Sequence, residues 1–205
     1  MNIHSLILIA YFMVKQTDLS KLHGVKEAAI KVIVERGYFG ATIAQISKEA
    51  GVSDGYLYRH YHGKAELVRE LYVERMGFFQ TIIIESIRKN QSVKDVLVVA
   101  FEFLNEAVHE NQNTIAFIFI MDHDHSFEFP DEIRVGFRTI GNEVQKMGLK
   151  TAEIDADRTI EEIIAIMFGL PIKLIEMRRK NIIHSQPISK QDVDSLVNIC
   201  MNALK

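Results

Sequence analysis

Two short helices joined by a glycine turn are the strongest constraint in this sequence. Thr42 is followed three residues later by Gln45, the spacing of a capping box at a helix N-terminus. Gly51 interrupts the helical pattern, and Ser53 can cap a further helix that reaches Tyr61. The residues "GVS" between them form a three-residue turn. This order predicts a helix-turn-helix.

The sequence on both sides of this pair also predicts helices, and no segment carries a strand pattern. Apolar residues recur at helical spacing from Leu22 to Ile33, before Gly37, which can take the left-handed conformation that ends a helix. A long fourth helix is predicted from Gly63 to about Asn90. The predicted fold class is therefore all-α.

Later helices are marked by caps and prolines. Ser92 and Ser189 each precede an aspartate at capping-box spacing, and Pro130 suits the first turn of a helix. The acidic pair Asp155 and Asp157 favours a helix N-terminus, because negative charge is stabilised there. Pro171, within "GLPIK", lacks an amide hydrogen and predicts a kink.

The composition is that of a globular chain: 205 residues with 48% hydrophobic and 25% charged content can bury a sizeable core. The lone cysteine, Cys200, cannot form an internal disulfide, so we expect a reducing compartment and a core or interface position. The apolar run at residues 6–14 is far shorter than a membrane span and lacks the flanks of a signal peptide. We expect a cytoplasmic protein without a membrane partner.

That apolar run has two explanations. It is either an extra packing segment or an upstream extension of a chain whose working start is Met13, and we slightly favour the second. Charge is distributed unevenly after it. Residues 15–70 carry nine Lys or Arg against seven Asp or Glu, although the whole chain has a formal net charge of −3. The sign suits an N-terminal part that meets an anion.

The run "EAAIKVIVERGYFGATIAQISKEAGVSDGYLYRHYHGKAEL", residues 27–67, resembles the DNA-binding domain of TetR-type bacterial transcription regulators. The shared features are the paired Ala, "RGY", the Thr that opens the second helix, "AGVS", "LY" and the Lys before Leu. The resemblance implies a homodimeric, ligand-responsive regulator, usually a repressor, that binds a double-stranded DNA operator. It implies an N-terminal extension at 1–16, a three-helix DNA-binding domain at 17–62, and a larger ligand-binding and dimerisation domain at 63–205.

A helix in the major groove presents its N-terminal residues to base edges, while surrounding groups contact phosphates. The residues expected to face bases are Ser53, Asp54, Gly55 and Tyr56, and those expected at phosphates are Thr42, Tyr58, His60 and Lys64. Structural alternatives are that Thr42 only caps, Tyr58 only packs and Lys64 is only solvated. Leu57 and Tyr61 are assigned to the core.

Two residues depart from the family pattern. Asp54 stands where members often carry Lys or Arg, and a carboxylate near phosphates costs affinity unless it accepts a hydrogen bond from a cytosine amino group. Tyr56 replaces a commonly smaller residue. We hypothesise that this pair shapes the operator preference. The small positive surplus also predicts few phosphate contacts and a modest salt dependence.

The C-terminal part is expected to bind a small apolar or aromatic effector. This expectation rests on the resemblance, because aromatic and Met residues at helical spacing are more often ordinary core. The expected pocket residues are Phe101, Leu104, Phe117, Met121, Phe137, Met167 and Phe168. Within "MDHDHSFEF", residues Asp122 to His125 could bind metal, but a solvated or gating loop is favoured, and we expect no metal or cofactor.

Dimerisation is expected through the last two long helices, in an intersubunit four-helix bundle. The predicted stripes are Ile160, Ile163, Ile164 and Met167 on one helix and Val193, Leu196, Val197 and Cys200 on the other. Alternatively, these stripes face the core of their own domain. No catalytic motif is present, so an enzyme is not expected. The remaining alternatives are a constitutive DNA-binding regulator and a helical interaction protein.

Overall fold

The computed structural model describes residues 18–183 and 188–205, with side chains from Ser20 onward. The helices are α1 (Asp18–Gly40), α2 (Ile43–Ala50), α3 (Asp54–His60), α4 (Lys64–Lys89), α5 (Val93–Glu110), α6 (Gln112–His123), α7 (Asp131–Thr151), α8 (Ile160–Ile164), the π-helical turn π1 (Ala165–Gly169), α9 (Leu170–Arg179) and α10 (Lys190–Leu204). No strand occurs within these ranges, which confirms the all-α prediction.

None of the described helices is long and apolar enough to cross a membrane. The apolar run at residues 6–14 and the proposed start at Met13 lie outside the described residues.

The chain forms two compact units. The first unit comprises the described residues up to Leu71 together with Ala116–Asp124, and the second comprises Tyr72–Ile115 and the described residues from His125 onward. Two of the three breaks fall within helices, so α4 and α6 each contribute to two units, and the third break follows the end of α6. The boundaries expected after residues 16 and 62 follow motifs rather than packing, and they stay predictions.

The first unit has a core of aliphatic and aromatic side chains from successive helices. Val25 and Ile33 of α1 are fully buried, as is Ile46 of α2, and these two helices pack together. The regular helix is interrupted at Gly37, whose φ of 73° is left-handed, so the glycine predicted to end the helix does change the backbone there. Leu57 and Tyr61 are buried, which confirms their assignment to the core.

In the second unit, α10 packs against α5, and α7 packs against α8. A Cβ added at Gly141 of α7 would lie 2.6 Å from the Ile160 side chain, so glycine permits this close approach. The caps at Ser92 and Ser189 are confirmed, since each hydroxyl accepts a hydrogen bond from the backbone amide three residues later. The complete capping box is present at Ser189.

The distortion predicted at Pro171 takes the form of the π-helical turn π1, and the helical path continues into α9. A wider turn accommodates a residue that lacks an amide hydrogen and crowds the preceding turn. Two predictions about helix N-termini need correction. Pro130 occupies the N-cap of α7 rather than its first turn, and Asp155 lies in the loop before α8, whose N-cap is Thr159.

The predicted dimer stripes mostly face the interior of the second unit. Ile163, Met167, Val193, Leu196, Val197 and Cys200 are buried in the single chain, and Ile160 and Ile164 are half-buried. The Cys200 thiol also donates to the Ile166 carbonyl at 3.4 Å, and burial raises its pKa to about 11. The assignment of the six buried side chains to an intersubunit contact is therefore corrected, because α8, π1 and α10 bury them in the core of their own unit. For Ile160 and Ile164 it stays a prediction.

An ion pair joins α9 to α10. Arg178 donates two hydrogen bonds to the Asp192 carboxylate, at 2.8 and 3.1 Å. The Arg178 guanidinium, followed by the Ser189 backbone amide, lowers the pKa of Asp192 to about 2. A carboxyl pKa below its unfolded value adds stability that is complete above about pH 4 and is lost as the pH falls toward the folded pKa.

We predict that Asp192→Asn lowers the free energy of unfolding by about 1–2 kcal/mol at pH 7, because it removes charge-assisted hydrogen bonds. Urea denaturation at pH 7 and near pH 2.5 measures this difference, which should be smaller at the lower pH, because the stabilisation decreases between the unfolded pKa and the folded pKa. Glu143→Gln is the control, since it removes only the exposed pair with Lys146. Equal losses in both variants at pH 7 would contradict the prediction.

Candidate nucleic-acid interface

The start of α2 is fixed by a complete capping box. The Thr42 hydroxyl accepts from the Gln45 amide at 3.3 Å, and the Gln45 side chain accepts from the Thr42 amide at 3.0 Å. Thr42 remains exposed although its hydroxyl acts as a cap. An oxygen of a phosphate could therefore approach this hydroxyl and the N-terminal end of α2, where the helix dipole favours an anion.

The turn between α2 and α3 lies where the sequence predicts it. Gly51 is left-handed, with φ 68°, and its amide donates to the Lys48 carbonyl at 3.3 Å. The Val52 amide donates to the Ser47 carbonyl at 3.0 Å, which closes the end of α2. The Ser53 hydroxyl then accepts from the Tyr56 amide at 3.3 Å and begins α3. These bonds set the angle between the two helices.

The N-terminal end of α3 is exposed. Ser53, Asp54 and Gly55 are open to solvent, as are Tyr58 and His60 further along the helix. The Asp54 carboxylate lies in the first turn, where the helix dipole stabilises it. At Gly55, an added Cβ would meet only the Ser53 hydroxyl oxygen, at 3.9 Å. The protein itself therefore does not require a glycine here.

Tyr56 does not take the expected place. Its side chain is only 8% exposed, and its ring packs 4.8 Å from the His60 ring with the Arg59 guanidinium 5.3 Å from its centroid. The reason is helical periodicity, because Tyr56 and Leu57 share the buried face of α3. This burial corrects the assignment of Tyr56 to the base-facing surface. Tyr58, at 58% exposure, is on the outside as expected.

Lys64 holds the turn between α1 and α2. Its ammonium donates to the carbonyl oxygens of Tyr38 and Ala41, at 2.5 and 2.9 Å, and lies 4.3 Å from the centroid of the Tyr38 ring. Burial lowers the pKa of Lys64, and the Asp124 carboxylate partly opposes this. The expected contact between Lys64 and a phosphate stays a prediction, and the structure shows that the ammonium already has intramolecular acceptors.

Asp124 belongs to the first unit, directly after α6. Burial raises the pKa of Tyr38, and the Asp124 carboxylate raises it further. Asp122 and His123 are the last residues of α6 rather than loop residues, and His123 Nδ1 lies 2.8 Å from the Phe119 carbonyl oxygen. Among the described residues, no group of three potential ligands is arranged to hold a metal ion.

Phenylalanine rings from four elements meet in the second unit. Phe79 of α4 stacks on Phe103 of α5 with centroids 5.8 Å apart, and Phe168 of π1 meets Phe79 at 5.9 Å and Phe137 of α7 at 5.0 Å. We call Phe79, Phe103, Phe137 and Phe168 the aromatic cluster. Each pair has an offset or edge geometry typical of favourable ring contacts.

The expected pocket residues belong to two different units of the structure. Phe137 and Phe168 meet in the aromatic cluster, and Phe101, Leu104 and Met167 also belong to the second unit. Phe117 and Met121 are buried residues of the first unit. Sequence reasoning missed Phe79 as a cluster member and did not select Phe103. Their helical spacing marks them as interior, but only the packing shows which rings meet.

Sequence reasoning also missed Phe39, between α1's glycines Gly37 and Gly40. It is the most exposed of the large hydrophobic residues described, at 90%. The sequence signal that could have drawn attention to Phe39 is a bulky apolar residue three positions before the capping Thr42.

A capped helix-turn-helix with an exposed second helix defines a DNA-binding protein of the helix-turn-helix class. Residues 26–71 match the family model described as "Bacterial regulatory proteins, tetR family". The HTH-type transcriptional regulator PksA of Bacillus subtilis is 30% identical, over 88% of this chain and 96% of PksA. The chain belongs to the TetR family, and it is a DNA-binding transcriptional regulator.

Two further similarities concern lipid regulators. The fatty acid metabolism regulator protein of Bacillus subtilis is 34% identical over 36% of this chain, and the match spans only 38% of that relative. The structure of FadR from Bacillus subtilis in complex with stearoyl-CoA has a TM-score of 0.70 and 22% identity, covering 89% of this chain and 96% of FadR. This structural likeness establishes the shared fold.

We predict that Lys64→Met lowers the free energy of unfolding by roughly 1–3 kcal/mol, because two partly buried carbonyls lose a charged donor. Chemical denaturation followed by circular dichroism measures the change. Lys31→Met is the matched control, since the Lys31–Glu49 ion pair is exposed and contributes little. The structural role of Lys64 would be contradicted if the two variants unfolded at the same denaturant concentration.

Proposed function

We propose that the protein is a repressor that binds a near-palindromic operator as a homodimer and leaves it when an apolar ligand binds. The observation that carries this proposal is the exposed N-terminal end of α3, held by the Ser53 cap beside the capped start of α2. Such a helix end fits the major groove, and its polar side chains can reach base edges.

The contacts divide into two kinds. Ser53, Asp54 and Gly55 face the bases, because they form the exposed start of α3. Thr42, Tyr58 and His60 contact phosphates of the DNA backbone around these bases. Lys64 acts mainly by fixing the turn that precedes Thr42, since its ammonium is bound to two carbonyls. The interface therefore contains few cations, which agrees with the modest salt dependence expected from the sequence.

Asp54 gives the interface its specificity. Its carboxylate is exposed at the start of α3 and can only accept hydrogen bonds when ionised. The major-groove donors that it could meet are the amino groups of cytosine and adenine. With Tyr56 buried, the hypothesis of an unusual operator preference now rests on Asp54 alone.

The dimer contact involves the outer faces of α9 and α10. Leu170 and Ile199 are exposed large apolar residues on these helices, whereas the stripes first expected there are internal. Pairing these faces across a twofold axis would cover both residues. Two α3 helices would then meet successive major grooves, which requires an operator with two inverted half-sites.

The effector is a long-chain acyl compound, and the aromatic cluster of the second unit receives its apolar chain. Two observations support this class. The cluster offers four adjacent rings on four elements, and one of them lies on a π-helical turn, a feature frequent at functional sites. The similar FadR structure contains stearoyl-CoA. Release requires that the ligand bind more tightly to the state that does not bind DNA.

We predict that Gly55→Ala weakens DNA binding at least about 10-fold, because the added methyl group displaces α3 from the base edges. Fluorescence polarisation with a duplex selected by the wild-type protein from a random pool measures the affinity. The fold should be unharmed, since a Cβ at Gly55 clashes with nothing in the protein and alanine favours a helix.

Gly24→Ala is the matched control for this substitution. Gly24 lies in α1, is exposed, and has no atom within 4 Å of an added Cβ. It should gain similar helix stability without a change in affinity. Equal affinities for Gly55→Ala and the wild type would count against α3 as the base-reading helix.

We predict that stearoyl-CoA releases the protein from the same duplex, and that Phe103→Leu raises the concentration needed by about 3- to 10-fold, through loss of ring stacking. Phe127→Leu is the control, because Phe127 packs on Tyr72 at 5.0 Å rather than in the aromatic cluster. Titration of the bound fluorescent duplex measures release. If no acyl-CoA of any chain length released the protein, it would be a constitutive regulator instead.

A further inference from the structure

We propose that Phe39 is an additional DNA contact, whose ring packs against the deoxyribose next to the phosphate held at Thr42. The inference rests on the proposed placement of Thr42 at a phosphate. It adds an apolar contact, outside the helix-turn-helix, to an interface otherwise made of polar groups and helix ends.

The exposure of Phe39 is extreme. At 90% it exceeds every other large hydrophobic residue in the described part of the chain, the next being Ile182 at 61%. Leaving a phenylalanine ring in water forgoes the favourable free energy that burial of its apolar surface would provide. Single exposed apolar residues are nevertheless common, so exposure alone does not identify a contact. The backbone around Phe39 is also held by hydrogen bonds.

Phe39 lies near the end of α1, after the interruption at Gly37, and the backbone of this segment is held on both sides of it. Lys64 binds the carbonyl of the preceding residue, Tyr38, and the carbonyl of Ala41, two residues further on. The Ala41 amide donates to the Gly37 carbonyl at 3.2 Å. The ring is therefore presented from a fixed backbone, and little conformational entropy is lost when it meets a partner.

Phe39 precedes Thr42 by three residues, and the exposure of the side chains between them differs. Tyr38 packs under the Lys64 ammonium and Ala41 is buried, so these two residues face inward. Phe39 and Thr42 are exposed and face outward. An anion bound at the start of α2 would consequently have an apolar ring close by. In DNA, the apolar surface nearest to a phosphate is its deoxyribose.

An uncharged contact makes a distinctive prediction about salt. Each phosphate neutralised by a cation steepens the fall of affinity with salt concentration, whereas an apolar contact does not. Phe39→Ala should therefore lower DNA affinity about 10-fold at every salt concentration and leave the slope of log K against log salt unchanged. Phe39→Leu should lose less, because it retains part of the apolar surface.

The experiment measures polarisation of a fluorescent duplex, selected by the wild-type protein, from 50 to 300 mM salt for the full-length variants. Val135→Ala is the control, since Val135 is 60% exposed and lies in α7 of the second unit. Circular dichroism and thermal unfolding should match the wild type for Phe39→Ala, because the side chain has almost no buried surface to lose.

The expected result is a parallel, weaker line for Phe39→Ala, with Phe39→Leu between it and the wild type and Val135→Ala unchanged. Affinity equal to that of the wild type would overturn the Phe39 contact while leaving the α3 interface intact. A changed salt slope would also overturn it, because the loss would then be electrostatic. If the wild-type protein selected no duplex, both this contact and the proposed function would fail.

Discussion

The bond between the Lys64 ammonium and the carbonyls of Tyr38 and Ala41 is the interaction on which the DNA-facing surface depends. It comes from the first residue of α4 and reaches back to the turn before α2. Through it, the backbone that ends in the Thr42 cap is fixed to α4. The sequence suggests Lys64 for direct phosphate binding, and the structure shows its ammonium bound to two backbone carbonyls. We therefore propose that Lys64 supports the residues that contact phosphates.

This arrangement explains how a chain with a formal net charge of −3 can belong to a family of DNA-binding regulators. The proposed interface consists of helix N-termini, hydroxyl groups and exposed backbone near Gly55, all of which favour an anion or a base edge without carrying positive charge. The carboxylate of Asp54 is tolerated at the start of α3 because the same helix dipole stabilises it. In this proposal, DNA binding depends on the position of these groups more than on their charge. The aromatic cluster proposed for the effector belongs to the second unit.

Helix caps and helix ends could be predicted from the sequence, because they depend on hydrogen bonds between residues close together in the chain. The caps at Thr42, Ser53 and Ser189 and the end of α2 at Gly51 were predictable, because each involves residues within a few positions of one another. The burial of Tyr56 was not, since the resemblance gives its position in the motif but not the face of α3 that packs inward. The internal burial of Val193 and Cys200 and the meeting of the Phe79 and Phe103 rings depend on packing between distant segments, which a periodic pattern leaves open.

We propose that the exposed start of α3 reads the operator, with Asp54 as a specificity residue. Selections of bound DNA from a random pool, carried out in parallel with the wild-type protein and with Asp54→Ala, test this proposal. We expect two inverted half-sites for the wild type and a lost base preference at one position of each half-site for the variant. If the wild-type protein recovered sequences with no common element, α3 would not be a base-reading helix, and an unchanged consensus in the variant would exclude Asp54 from base recognition.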